Sequence, residues 1–282
     1  MKCYFAFFLG IFLMISCQEK KPDIVIIPDN QKNHLQRNHM LGKVKSVKTI
    51  TLKVQQTDST TVIEDTLSIT IQHYSLDGYL TKSVKLNKKS DTISIRNFYF
   101  HPDAREKRWE ELDSNYSVGF HGEYEYDINQ FKSGEKIFKN DSLFFNIQYK
   151  TDGMGNIIEM TQQYDNYAIV NKMQYDKNGL VARIDEYEPN GTLFKYAIIE
   201  YDNYGDEVNR KAYKTGDQLI EYTYTQYDQN GALLKVIYED RLHRNKEVYE
   251  YYHHDKEGNW QQEIRKKDEK IMYQRNRELI YY

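Results

Sequence analysis

Apolar and polar residues alternate along most of this chain, and the alternation has the period of a β-strand. In Gln218–Tyr227, Ile220, Tyr222 and Tyr224 fall on one face, while Glu221, Thr223 and Thr225 fall on the other. The same pattern predicts strands over 44–54, 66–74, 93–100, 120–126 and 143–149. Helical spacing of any length is hard to find, and Pro102 and Pro189 fall at turns rather than inside strands.

Short turn signals punctuate the strands at a fixed period. Tyr149 to Gly153 (YKTDG), Tyr175 to Gly179 (YDKNG), Tyr201 to Gly205 (YDNYG) and Tyr227 to Gly231 (YDQNG) align, with their tyrosines 26 residues apart. A fifth copy runs from His254 to Trp260 with its glycine at Gly258, and an earlier one runs from Tyr74 to Gly78. Asp or Asn beside Gly between alternating segments is a hairpin signal. The glycine supplies a positive φ, and the Asp side chain caps nearby backbone. Gly153, Gly179, Gly205, Gly231 and Gly258 are therefore the expected turn glycines. Second turns fall between copies, at Pro189 to Gly191, Thr215 to Asp217 and Arg244 to Asn245. The predicted fold is all-β: an antiparallel meander of repeated hairpins, open, curled or barrel-like, with no substantial helix beyond the extreme N-terminus.

Composition narrows this picture. The chain has 282 residues, a mean hydropathy of −0.83, 26 Tyr and 12 Phe. Tyrosine carries a large apolar ring with a wet end, so it suits a broad, partly solvated sheet better than a thick two-sided core. Basic and acidic residues (39 against 42, net −3) are interspersed, and no basic stripe exists to neutralise phosphates, which argues against a nucleic-acid partner.

The first 16 residues have the form of a signal peptide: one charge at Lys2, an apolar run from Tyr4 to Ile15, and Ser16 before Cys17. Leu13 to Cys17 (LMISC) resembles a bacterial lipobox, which implies acylation of Cys17 and attachment to a membrane through the N-terminal lipid. Cys3 is lost with the signal, leaving neither a disulfide framework nor a thiol nucleophile. Residues 17–40, polar and bearing Pro22 and Pro28, read as a flexible tether, and 41–282 as the repeat domain.

The Tyr-Asp-x-x-Gly units, the opening from Leu41 to Val47 and the ending from Gly258 to Tyr281 resemble the YD (RHS-type) repeat lipoproteins of Bacteroidetes. The resemblance is specific over 149–282. It implies a β-repeat fold and an envelope address, in which the domain hangs from a membrane, with the outer membrane as its expected site. It carries no catalytic residues across. Four triplets, at Ser59, Thr66, Thr92 and Ser142, each following an Asp, also resemble the O-glycosylation acceptors of that group.

Candidate chemistry is sparse. The repeated Asp152, Asp176, Asp202, Asp228 and Asp255 offer too few oxygens per turn for calcium and read as turn caps. His253 and His254 are adjacent in a strand and point to opposite faces, so they make a poor pair of metal ligands. No Gly-x-Ser-x-Gly elbow appears. The expectation is a protein with no metal, no cofactor and no catalytic residues, acting as a binding or structural module with a protein or glycan partner. Trp109 and Trp260, which break the repeat's pattern, are the candidate binding aromatics. The alternatives are a glycan-binding accessory protein and a hydrolase with dispersed catalytic residues.

Overall fold

The computed structural model describes residues 27–28, 31–56, 61–164 and 166–282. After a single-turn helix, α1 (His34–Arg37), the chain is all strand. The strands are β1 (Val44–Gln56), β2 (Thr61–Tyr74), β3 (Leu80–Leu86), β4 (Thr92–Phe100), β5 (Glu106–Leu112), β6 (Val118–Tyr126), β7 (Lys132–Lys139), β8 (Ser142–Thr151) and β9 (Ile157–Gln163). They continue as β10 (Ala168–Tyr175), β11 (Val181–Tyr187), β12 (Leu193–Tyr201), β13 (Glu207–Lys214), β14 (Gln218–Tyr227), β15 (Leu233–Asp240), β16 (Asn245–His254), β17 (Trp260–Lys267) and β18 (Lys270–Tyr281). Each strand pairs antiparallel with the next, and β1 pairs with both β2 and β18, so the sheet closes into an 18-stranded barrel. Of the open and closed forms that the pattern allows, the molecule adopts the closed one. Closure leaves no unpaired edge.

The turns at one mouth share one construction. In the loop after β10, the Asp176 N–H donates to the Leu180 carbonyl at 2.8 Å and the Gly179 N–H donates to the Asp176 carbonyl at 3.1 Å. The Asp176 Oδ1 meanwhile accepts the N–H groups of Asn178 and Leu180 at 2.8 and 2.9 Å. This is a three-residue hairpin loop whose last residue must be left-handed. Gly179, Gly205, Gly231 and Gly258 occupy that place with φ between 76° and 91°. Gly153 does not. In that unit Asp152 opens the loop, and the left-handed residue is Gly155 at φ 85°. The alignment on Tyr149 is off by two positions, because Thr151 stands where the other units have tyrosine.

The same loop recurs in the N-terminal half with Ala104 and Gln130 at the left-handed place, at φ 66° and 69°. Counting left-handed positions 78, 104, 130, 155, 179, 205, 231 and 258, the repeat runs through the whole barrel. Its glycine is simply missing from two early loops. Turns at the opposite mouth are equally short, including 87–91, 113–117, 140–141 and 268–269.

Rings of this size are too wide for side chains to fill. Accordingly the strongly buried hydrophobic cluster among the described residues lies at one rim. There Leu35 and Met40 of the N-terminal segment pack on Val44, Val47 and Tyr74. Part of the expected tether is thus a docked element: residues 33–41 lie over the mouth that carries the repeat turns. Asn33 caps α1 and its Nδ2 donates to the Asp77 carbonyl at 2.8 Å, while the Leu35 N–H donates to the Gly78 carbonyl at 3.1 Å.

Left-handed backbone costs a non-glycine residue on the order of 1 kcal/mol. Gly205→Val should therefore destabilise the barrel more than Gly205→Ala, and Gln130→Gly should stabilise it by about 1 kcal/mol. Urea unfolding curves of the three variants check this. Unchanged stability in Gly205→Val would remove the loop's conformational requirement.

Candidate functional site

The N-terminal segment shows which face of the sheet is the lumen. His34 lies against Tyr79, Phe98 and Phe100 and pairs with Glu106 at 3.2 Å, while His39 pairs with Asp206 at 3.3 Å and packs on Tyr227. The cross-strand register extends that face around the ring through Trp109, Gly122, Ile137, Ile147, Ile184, Ala197, Ala212 and Val47.

The opposite face points outward and is mixed: rows of apolar residues such as Ile50, Ile71, Val84, Ile95 and Ile237 alternate with charged pairs. It carries Lys48 with Glu278, Lys136 with Glu125, Lys150 with Glu159, Lys211 with Glu200, and Lys235 and Lys266 with Glu250. A barrel that spans a bilayer presents an apolar band outward, and here the ion pairs interrupt the apolar rows. The lumen face is no greasier, since it holds Arg210, Glu247, Glu263, Arg265, Arg275 and Arg277.

The repeat tyrosines have a mechanical role. Near the plugged mouth neighbouring hairpins diverge, and their backbone ladders stop short. The phenol bridges the gap: Tyr126, Tyr175 and Tyr201 donate to the carbonyls of Glu106, Ile157 and Val181 at 2.6, 2.8 and 2.9 Å. Tyr227 reaches Glu207 at 3.4 Å, and the ring Nε2 of His254 lies 2.8 Å from the Leu233 carbonyl. Burial, reinforced by the nearby Glu106 carboxylate, raises the Tyr126 hydroxyl to about 12, so it remains a donor at any physiological pH.

Trp109 and Trp260 are each only 8% exposed. Each is buried in the lumen wall under a cation. The Trp109 Nε1 donates to Glu135 at 3.1 Å, and the Arg96 guanidinium covers its ring at 4.6 Å. Gly122 makes the space: a Cβ there would meet Trp109 Nε1 at 2.3 Å. Below lies a second layer, with Lys132 over the Tyr124 ring at 3.9 Å and ion-paired to Glu106 at 3.4 Å. Burial opposes ionisation of Glu106, but His34, Lys132 and Arg37 outweigh it and hold the carboxyl at about 2. On the far wall Trp260 packs against Tyr251, and Arg277 covers it at 3.5 Å. Beside it Glu247 accepts hydrogen bonds from Arg265 and from the Tyr249 hydroxyl, the latter at 2.6 Å. These partners overcome burial and hold Glu247 at about 2.

The last repeat turn fastens the N-terminal segment. The Leu41 N–H donates to Asn259 Oδ1 at 2.8 Å, and Asn259 Nδ2 donates to the Leu41 carbonyl at 2.7 Å and to the Tyr281 hydroxyl at 2.8 Å. Thr66, Thr92 and Ser142 lie toward the opposite mouth, the last two at the starts of β4 and β8. Cys17 and Ser59 lie outside the described residues. His243 is bonded to Asp240 at 2.6 Å, and His254 is one of the hairpin bridges. Sequence reasoning missed Glu106, Glu247 and Arg277, whose significance depends on which face of which strand is the lumen.

Two outcomes follow. Tyr201→Phe should cost about 1–2 kcal/mol, because the Val181 carbonyl loses its donor, as read from thermal melting. The depressed Glu106 carboxyl contributes stability above pH 4.5 that is lost as pH falls toward 2. Glu106→Gln should therefore melt lower than the parent at neutral pH, by about 3 kcal/mol, and the gap should close across that window. A gap independent of pH would show that Glu106 acts by packing alone.

No family model matches the chain, and no curated protein matches it. Among solved structures it is similar to a porin-like protein from Bacteroides uniformis ATCC 8492, with a TM-score of 0.45 and 11% identity, over 85% of this chain and 98% of that one. It is also similar to a chain of the Photorhabdus luminescens Tc holotoxin pore (TM-score 0.35, 13% identity, 78% of this chain and 14% of that one). A TcdB2-TccC3 structure without its hypervariable C-terminal region gives a TM-score of 0.35 at 12% identity, over 78% of this chain and 15% of that one.

Proposed function

We propose that the protein is a lipid-anchored envelope module of YD-repeat type, whose barrel stands in water and binds a partner without transforming it. The observation that carries this reading is the spread of ion pairs that interrupts the apolar rows of the outer surface. A ring of ion pairs on the outward face supports a barrel beside a bilayer rather than through it, so attachment falls to the N-terminus and Cys17. The docked segment adds an orientation. Residues 17–30 span at most about 50 Å, so the plugged mouth lies nearer the membrane and the opposite mouth faces away. The Thr66, Thr92 and Ser142 triplets then sit toward the outward mouth, where glycans would be tolerated. The glycan-binding alternative loses its main support, because both tryptophans are buried and each lies under an arginine.

Replacing Cys17 with Ser should abolish acylation and leave an unprocessed precursor, read by mass spectrometry and by labelling with a palmitate analogue. Parent protein whose Cys17 is unmodified would overturn the anchor. An alkaline carbonate wash tests the second half: a soluble form beginning after Cys17 should be released from membranes. Retention of that form as an integral protein would overturn the water-immersed barrel.

A further inference from the structure

The arginines of the barrel follow a rule with one exception. Of the half-buried arginines among the described residues, Arg105, Arg183, Arg210, Arg265 and Arg275 each pair with a carboxylate: Asp103, Asp185, Glu207, Glu247 and Glu263 respectively. Arg277 has none. Its Nε is buried and takes no hydrogen bond, and its guanidinium lies 3.5 Å from the centre of the Trp260 ring. The nearest acid in the wall, Glu263, is already engaged by Arg275 at 3.1 Å. Burial depresses Arg277 to about 10, and it remains a cation at neutral pH.

A mostly buried guanidinium that no carboxylate touches is costly even with Glu263 nearby, and the face of one indole offsets only part of that cost. The surroundings are those of a receptor for negative charge. Arg275 lies two residues along on the same lumen face, and Thr49 stands opposite Arg277 across the seam. The Tyr251 ring packs against the same indole at 5.2 Å. We propose that the lumen wall at Arg277 is a binding site for an oxyanion, a carboxylate or phosphate on a ligand that enters by the mouth opposite the N-terminal segment. This rests on reading the barrel as a binding module and names the chemistry that it binds. The guanidinium supplies planar, paired donors suited to either group.

Purified full-length protein would be titrated with inorganic phosphate, sodium acetate and sodium glucuronate, with sodium chloride as the ionic-strength control. Tryptophan fluorescence and thermal melting are the readouts. A saturable response to phosphate or to a carboxylate, weakened about tenfold or more in Arg277→Gln and retained in Arg96→Gln, supports the site. Comparing the three salts separates a phosphate from a simple carboxylate and from one carried on a sugar. Without anion, Arg277→Gln should melt no lower than the parent, since an uncompensated charge has been removed. Trp260→Phe, which loses the optical signal, should keep the thermal shift. Absence of any saturable response, an equal response in Arg277→Gln, or a steep fall in that variant's melting temperature without anion would each overturn the proposal. Neither readout involves the anchor, so such a failure leaves the tethered barrel standing.

Discussion

The ladder between β1 and β18 is the contact on which the rest of the structure depends. It joins Val44 to Tyr281, 237 residues apart, and turns a long meander into a ring. Loop-closure entropy for such a separation is on the order of 5 kcal/mol, and nothing local offsets it. The chain answers with length. The three strands at the seam run for 13, 14 and 12 residues, against 7 to 10 for each of the others. The buried hydrophobic cluster of the described residues sits on the same seam, as do the Asn259 clamp and the Tyr281 hydroxyl. An 18-stranded sheet with so little core survives because its backbone has no end, and the N-terminal segment is the wedge that keeps the ends together.

Much of this was legible in the sequence, for a physical reason. Strand alternation and glycine at the left-handed place are local requirements, so they mark the sequence wherever they act. Gly179 and Gly205 announce their turns. Gln130 does not, although its loop has the same hydrogen bonds, because the Asp127 side chain holds that loop and lets a side chain tolerate the strain. Gly153 misled for the converse reason: it stands beside an Asp, yet Gly155 does the work. Closure, the lumen face and the docking of 33–41 depend on partners more than a hundred residues away, and no window of sequence contains them. The fate of Trp109 shows this best. Its neighbour across the ladder, Gly122, looks like a weak point in a strand, and only the register reveals that it is the space into which the indole fits.

The distribution of charge follows from the same geometry. A barrel too wide to fill has two wet faces, and each must be satisfied separately. Outside, ion pairs between lysines and glutamates lie among apolar rows, and each contributes little to stability. Inside, the wall fixes the partners, and the lumen pairs are hydrogen-bonded more fully, with Glu247 accepting from Arg265, Tyr249 and Asn245 together.

That contrast gives the lumen its direction. On the β4–β8 wall, charge is balanced within the protein: Glu135 serves Trp109, and Glu106 serves Lys132 and His34 of the docked segment, so acid would loosen plug and wall together. On the β16–β18 wall the balance is incomplete, because Glu263 is shared out to Arg275 before Arg277 is reached. One wall is finished by the chain's own N-terminus, and the other has an unfilled place for negative charge, on the seam that closes the ring. An anion seated there would add a bond to the β18 side of the seam, just below the Leu279 row that packs against the docked segment. Binding and closure would then reinforce one another, since whatever holds Arg277 in place also holds β18 against β1.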